Sequence, residues 1–135
     1  MGSVNNLQSL LPNRKTVAMS EVKESIGRIE VAPGVLATIA QYAALRADGV
    51  SRMAPIPPDV ARLFRREVRQ DGILLEIGEQ NRVRIDIYVI MDPSVNIMET
   101  SRKVQAAVME AIDTMVGIPV EAINVHVEDV VYEQE

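Results

Sequence analysis

The chain has 135 residues, of which 47% are hydrophobic and 24% are charged, and its formal net charge at pH 7 is -5. This length and apolar content fit one domain with one hydrophobic core. The sequence contains no cysteine, which excludes disulfides, thiolate metal sites and a cysteine nucleophile and favours the cytoplasm. Its net negative charge disfavours nucleic-acid binding, which needs a surplus of Lys and Arg.

The first 25 residues show no sustained helical or strand periodicity, and polar residues interrupt them too often for a signal peptide. We therefore predict a mobile N-terminal tail over residues 1–25, followed by a single α+β domain over residues 26–135. No stretch of the sequence approaches the ~20 consecutive apolar residues that cross a bilayer. Any membrane association is therefore expected to be peripheral.

The next part of the sequence predicts one short strand and two helices. Ile29 and Val31 alternate with charged residues, as in a half-buried strand. A helix is predicted from about Pro33 to Asp48, because proline is tolerated in a first helical turn and Gly49 can end the helix in the left-handed conformation. A second helix is predicted from about Pro57 to Gln70.

The first predicted helix carries two apolar stripes. The broader stripe consists of Leu36, Ile39, Ala40, Ala43 and Ala47. The other consists of Val35, Tyr42 and Leu45. We expect this helix to be covered on more than one side, either by the rest of the same domain or by a second subunit.

The remaining sequence predicts a hairpin, a long helix and a final strand. Apolar and polar residues alternate over Ile73 to Ile77 and over Val83 to Val89. Helical spacing follows from about Asn96 to Val116, and alternation returns from Val120 to Tyr132. This order of elements predicts an α+β fold of two layers, in which a small mixed or antiparallel sheet has helices mainly on one face.

The sequence contains no pattern that predicts catalysis, a cofactor or a metal site. Its one histidine, His126, lies in the middle of the last predicted strand, and the chain has no Gly-rich phosphate loop and no nucleophile elbow. Glu128 and Asp129 are adjacent on that strand and therefore point to opposite faces. We predict a protein that is not an enzyme and that binds no cofactor and no metal, with His126 as an ordinary sheet-surface residue.

The second predicted helix carries a concentration of basic residues. Four arginines recur at i, i+3, i+4 and i+7 and are predicted to form one face, and these are Arg62, Arg65, Arg66 and Arg69. The simplest interpretation is a solvated face paired with neighbouring carboxylates. The alternatives are contact with an anionic membrane, with nucleic acid or with the acidic end of a neighbouring subunit.

The third predicted helix offers a further candidate surface. Met98 and Met109 project about a quarter turn away from its core stripe, and methionine adapts well to binding surfaces. The alternative is a broad helix face that packs under a loop. We take the four arginines and these two methionines as the candidate residues for partner binding or self-association.

Several short motifs occur in a recognisable order between Gly27 and the C terminus. They are Gly27-Arg28-Ile29-Glu30-Val31, Gly49-Val50, Val83-Arg84-Ile85-Asp86-Ile87-Tyr88-Val89, Val104-Gln105, Gly117-Ile118-Pro119-Val120 and Ile123-Asn124-Val125-His126-Val127. In these motifs the sequence resembles the alkaline shock protein family, the envelope stress response family of Gram-positive and related bacteria. The residues Met91 to Ser94 depart from that pattern, because family members commonly carry Tyr-Gly or a similar pair there.

The resemblance implies a non-enzymatic scaffold or adaptor protein of the cell-envelope stress response. Members of that family are cytoplasmic proteins that self-associate and lie near the membrane through a membrane-anchored partner. The resemblance also implies that His126 is a packing or hydrogen-bonding residue. An alternative function is an RNA-binding module that uses the Arg-rich helix, although the 3% aromatic content and the missing Gly-x-x-Gly clamp count against it.

Overall fold

A computed structural model describes residues 17–19, 26–63 and 68–131 of the chain. Its elements, in chain order, are β1 (Val17–Met19), β2 (Ile29–Val31), α1 (Pro33–Arg46), β3 (Val50–Met53), α2 (Pro58–Leu63), β4 (Val68–Gln70), β5 (Ile73–Ile77), a 3₁₀ turn (Glu79–Asn81), β6 (Val83–Met91), α3 (Ile97–Met115) and β7 (Val120–Val130). The class is α+β, as the sequence predicts.

The central strand of the main sheet is β6. β5 and β3 pair antiparallel with its first and second halves, and β4 extends the sheet beyond β5. The amide of Tyr88 donates to the carbonyl of Gly72 and its carbonyl accepts from the amide of Ala54, so β5 and β3 lie on the same side of β6. β7 pairs in parallel on the other side. The sheet is therefore mixed, because the α3 crossover returns the chain in the direction of β6.

The main core lies between one face of this sheet and helices α1 and α3. The five inward side chains of β6 that alternate along the strand are all fully buried, and these are Val83, Ile85, Ile87, Val89 and Met91. Leu36 and Ala40 of α1 and Val104, Val108 and Ile112 of α3 pack against them. This confirms that the helices lie mainly on one face.

Local signals at both ends of α3 act as the sequence predicts. The side chain of Asn96 accepts a hydrogen bond of 2.9 Å from the amide of Glu99 and so caps the helix start. Gly117 adopts a φ of 76° just beyond the helix end, where its amide donates to the carbonyl of Ile112. The helix therefore begins and ends close to the predicted positions.

The prediction of one helix from Pro57 to Gln70 is wrong. α2 is described over Pro58–Leu63, and Val68–Gln70 does not continue it but pairs with Ile73–Leu75. Asp71 and Gly72 form the turn between these strands, with Gly72 at a φ of 70°, and an Asp-Gly pair between strands is a strong hairpin signal. Strand pairing therefore overrides the helical spacing of the arginines.

The N-terminal segment includes a strand that the sequence pattern does not predict. Val17–Met19 forms β1 and pairs antiparallel with Ile29–Val31. Residues 1–16 and 20–25, the rest of the predicted tail, lie outside the described residues, so their mobility stays a prediction. The pairing shows that a short strand can depend on its partner more than on its own periodicity.

Candidate functional site

The exposed face of α1 is the first candidate surface. Val35, Tyr42 and Leu45, the second apolar stripe of this helix, are 47%, 62% and 42% exposed. The guanidinium of Arg46 donates to the Tyr42 hydroxyl over 3.0 Å and lies 5.3 Å from the centre of its ring. We call Val35, Tyr42 and Leu45 the α1 stripe. The described residues leave it open, so the expected cover within the domain is not found there.

A second exposed surface lies on the flank of α3 that faces β7. Gln105 marks this flank, because its side-chain amide donates to the carbonyl of Ile123 over 2.9 Å. Met98 and Met109 are seven residues before and four residues after Gln105, so all three share one side of the helix. Met98 is 61% exposed and Met109 is 44% exposed. A partner role for these two methionines stays a prediction.

The predicted arginine face does not lie on one helix. The backbone places Arg62 in α2 and Arg69 in β4, while Arg65 and Arg66 lie outside the described residues. The helical spacing that motivated a single basic face therefore ends before Arg69. Contact of these four arginines with a partner remains a prediction.

A polar cluster occupies the face of the sheet opposite the helices. The Asp86 carboxylate accepts a hydrogen bond of 3.1 Å from the Asn124 side-chain amide and lies 2.9 Å from Nε2 of His126. The His126 ring stacks on Tyr88, with 4.4 Å between ring centres and 10° between ring planes. We call Asp86, Tyr88, Asn124 and His126 the Asp86 cluster. It joins β6 to β7 on this face of the sheet.

Burial and charge both act on Tyr88 in this cluster. Tyr88 is only 3% exposed. Burial raises the pKa of its phenol, and the neighbouring carboxylates of Asp86 and Glu128 raise that pKa further. The neutral phenol is therefore the form that the folded protein favours.

The contacts of the Asp86 cluster are those between two neighbouring strands. Among the described residues no hydroxyl hydrogen-bonds to His126, so the nucleophile of a catalytic triad is missing from this arrangement. No group of three or more His, Asp or Glu side chains in the described ranges is placed to hold a metal ion. His126 hydrogen-bonds to Asp86 and stacks on Tyr88, which agrees with what the resemblance implies for it.

Sequence reasoning missed the partners of His126, although the pattern contained part of the signal. Asn124 and His126 alternate on one face of β7, and Asp86 and Tyr88 alternate on one face of β6. The parallel register that places Asp86 beside Asn124 and Tyr88 beside His126 is a property of the sheet. It cannot be read from either strand alone.

Within the described part of the chain, every helix is too short or too polar to cross a bilayer.

Known proteins with similar sequences support one family. Residues 21–132 match the model of the alkaline shock protein 23 family, which is described as having a cell envelope-related function. The chain is 32% identical over 111 residues to the protein Spy1535 of Streptococcus pyogenes serotype M6, covering 82% of this chain and 84% of that protein. It is 28% identical over 114 residues to YloU of Bacillus subtilis strain 168, covering 82% of this chain and 93% of that protein.

The chain also matches solved structures, and this likeness is weak. Two structures of the MamM CTD, each with a different substitution, are 16% identical to this chain and have a TM-score of 0.45. They cover 71% of this chain, and this likeness does not bear on function. The family match spans nearly the whole sequence, and the motifs that carry it recur in order. The chain therefore belongs to the alkaline shock protein 23 family, whose function is related to the cell envelope.

Proposed function

We propose that this protein is a non-enzymatic scaffold or adaptor of the cell-envelope stress response. It works in the cytoplasm, associates with further copies of itself and docks to a membrane-anchored protein. Its family membership supports a role at the envelope. The exposed apolar surfaces of its helices support a role in protein contacts.

The α1 stripe is the observation that carries the proposal. α1 has one charged residue, Arg46, in its 14 residues, and its outward side chains include the apolar Val35, Tyr42 and Leu45. Apolar surface that is contiguous and exposed marks a contact site in many soluble proteins. Tyrosine adds to this, because it combines a large apolar ring with a polar hydroxyl and is enriched at interfaces.

Self-association is tested by replacing large side chains of the α1 stripe with serine. The double variant Tyr42→Ser, Leu45→Ser should lower the mass measured by light scattering toward the monomer and leave the thermal transition close to wild type. Ile97→Ser, Met115→Ser is the matched control, since these α3 side chains are 41% and 67% exposed. A wild-type protein that stays monomeric at high concentration, or equal loss of mass in both variants, contradicts the role of this stripe.

Docking to a membrane-anchored protein is tested separately. The purified chain should sediment with membranes from its native host and fail to sediment with the same membranes after protease treatment. Vesicles of phosphatidylglycerol and phosphatidylethanolamine without protein provide the lipid control. Equal binding to these vesicles indicates that lipid itself is the target, and an absence of binding to native membranes contradicts the adaptor role.

The four arginines that the sequence analysis selected allow a test of whether charge contributes to self-association. Arg65→Glu with Arg69→Glu should weaken self-association at low salt if these residues meet an acidic surface of a neighbouring copy, because salt screens such contacts. The RNA-binding alternative depended on a long Arg-rich helix. Since Arg69 lies in β4 and not in that helix, no observation of the described residues favours that alternative.

A further inference from the structure

The outer edge of β7 has backbone groups available for a further strand. Tyr88 directs both its amide and its carbonyl toward β5 and β3, so the neighbouring residues of β6 direct theirs toward β7. In a parallel pair with Ile87 beside Val125, the residues of β7 that bond to β6 are then those on either side of Val125. Val125 and Val127 therefore direct their amides and carbonyls away from the sheet.

No described strand lies beyond β7. Among the described residues, no hydrogen bond reaches the outward backbone groups of Val125 and Val127. The next outward carbonyl along the strand, that of Ile123, is occupied by the side chain of Gln105. An edge of this kind readily pairs with an added strand, and Gln105 limits that pairing to the part of β7 that follows Ile123.

The flank of α3 beside this edge carries the exposed apolar side chains of Met98 and Met109, with the exposed Arg102 between them. α3 and β7 are joined by residues 116–119 alone, so the helix returns antiparallel to the strand. A helical rise of about 1.5 Å per residue places Met98 roughly 10 Å from Gln105, and a strand rise of about 3.3 Å places Val127 roughly 13 Å from Ile123. Met98 therefore lies near the open segment of the edge, on the helix side of the sheet.

The charge along β7 selects the partner. The 11 residues Val120–Val130 include Glu121, Glu128 and Asp129, and they include no Lys or Arg. Glu121, Glu128 and Asp129 are exposed. Pairing of two copies would place this strand, with three carboxylates and no Lys or Arg, beside an identical acidic strand, and like charges close to each other across a strand pair are destabilising. The edge therefore favours a basic strand over a second copy of itself.

We propose that β7 binds an extended, basic segment of the membrane-anchored partner as an additional strand of the sheet. The apolar side chains of this added segment lie on the helix side of the sheet beside Met98. Its Lys or Arg side chains lie on the opposite side of the sheet near Glu128. Stretches that follow a membrane span on the cytoplasmic side are commonly rich in Lys and Arg, and strand addition is a recurrent mode of peptide recognition. This inference rests on the proposed adaptor function and names the contact that it uses.

The test uses a fluorescent peptide of sequence Lys-Val-Lys-Val-Thr-Val-Lys-Val and the full chain. Binding measured by anisotropy should be accompanied by amide NMR shifts at Val125 and Val127 and by methyl shifts at Met98. The same peptide with Glu in place of Lys tests the charge. The same peptide with N-methylated central valines tests the backbone hydrogen bonds and should bind about ten-fold more weakly, the effect of losing roughly one hydrogen bond. The Glu peptide should also bind more weakly, because its charge has the same sign as the carboxylates of β7.

Two protein variants complete the test. Val125→Pro removes one outward amide while leaving the hydrogen bonds to β6 in place, since proline is tolerated in an edge strand when its nitrogen faces outward. Because Val125 is also partly buried against the core, Glu121→Lys with Glu128→Lys serves as a second variant that leaves the core unchanged. Both variants should weaken binding of the basic peptide, and the second should improve binding of the Glu peptide.

Four results overturn this inference, and the last of them leaves the adaptor function in place. The first is a basic peptide that does not bind. The second is binding whose NMR shifts lie away from β7, or whose affinity in both protein variants equals that of the wild type. The third is a wild-type dimer that Val125→Pro converts to monomer, which assigns the edge to a second copy. If the edge variants still sediment with native membranes in a protease-sensitive way, the adaptor function stands and only this docking mode is wrong.

Discussion

The two faces of the sheet differ although the same strand, β6, supplies the middle of both. On the helix face its alternate side chains, from Val83 to Val89, are apolar and fully buried. On the opposite face Arg84 is exposed, Asp86 is hydrogen-bonded and Tyr88 and Ile90 are buried in a small cluster. One face therefore provides most of the hydrophobic stabilisation, and the other holds polar groups in defined positions.

The difference in size between the two apolar clusters has an energetic consequence. The helix face buries 18 residues in one cluster, whereas the opposite face buries Ala54, Leu74, Tyr88 and Ile90. A large cluster between two layers cannot collapse around a deleted side chain as easily as a small cluster beneath a short helix. The four predictions below test this comparison, in order of decreasing effect.

The largest effect is expected for a charge placed in the helix-face core. Val108 is fully buried, so Val108→Asp should abolish cooperative folding, with a loss of more than ~4 kcal/mol from an unpaired buried carboxylate. Met109→Asp is the matched control on the adjacent residue, which is 44% exposed. Chemical denaturation followed by circular dichroism gives both values, and a folded Val108→Asp with wild-type stability contradicts the packing of α3.

Truncation of one isoleucine on each face compares the two clusters directly. Ile87→Ala on the helix face should lower the free energy of unfolding by about 4 kcal/mol, and Ile90→Ala on the opposite face by about 2 kcal/mol, the upper and lower parts of the usual range. Ile87 is fully buried and Ile90 is 8% exposed. Urea denaturation measures the free energy of unfolding of both variants. Equal losses, or a larger loss for Ile90→Ala, refute the difference between the faces.

The Asp86 cluster should contribute less than either apolar cluster. Asp86→Ala removes the acceptor shared by Asn124 and His126 and should cost about 1–2 kcal/mol, because two partly exposed hydrogen bonds are lost. Glu76→Ala is the control, since its contact with Arg84 is 4.0 Å long and both side chains are well exposed, and it should cost about 0–0.5 kcal/mol. Equal stabilities of the two variants in urea denaturation indicate that the cluster adds no stability.

The smallest effect is a dependence of stability on alkaline pH. The folded-state pKa of Tyr88 is raised by burial, by Asp86 and by Glu128, so its stabilising contribution is complete below the ordinary phenol pKa of about 10. That contribution is lost as the pH rises through the raised folded-state value. The stability of the wild type should therefore fall more steeply above about pH 10 than that of Tyr88→Phe.

This pH dependence is measured by urea denaturation at a series of pH values, with Tyr42→Phe as a control for removing a phenol from the exposed α1 stripe. Parallel curves for wild type and Tyr88→Phe over the alkaline range contradict the proposed environment of Tyr88.

The sequence by itself determines the elements whose signals are local. The alternation from Val83 to Val89, the helical spacing of α3 and its caps at Asn96 and Gly117 act within a few residues, so they predict a long strand and a long helix close to where these lie. The α+β class follows from the order of such elements. The motifs around these elements also carry the family resemblance that the comparisons confirm.

Only the tertiary structure decides features that depend on a partner distant in the chain. The pairing of β4 with β5 takes Arg69 out of a helix, and the parallel register of β6 and β7 brings Asp86 to His126. No strand of the described residues pairs with the outer edge of β7, and packing decides which apolar stripe of α1 is buried. These outcomes depend on hydrogen bonds and burial between segments far apart in sequence, so the local pattern of each segment does not contain them.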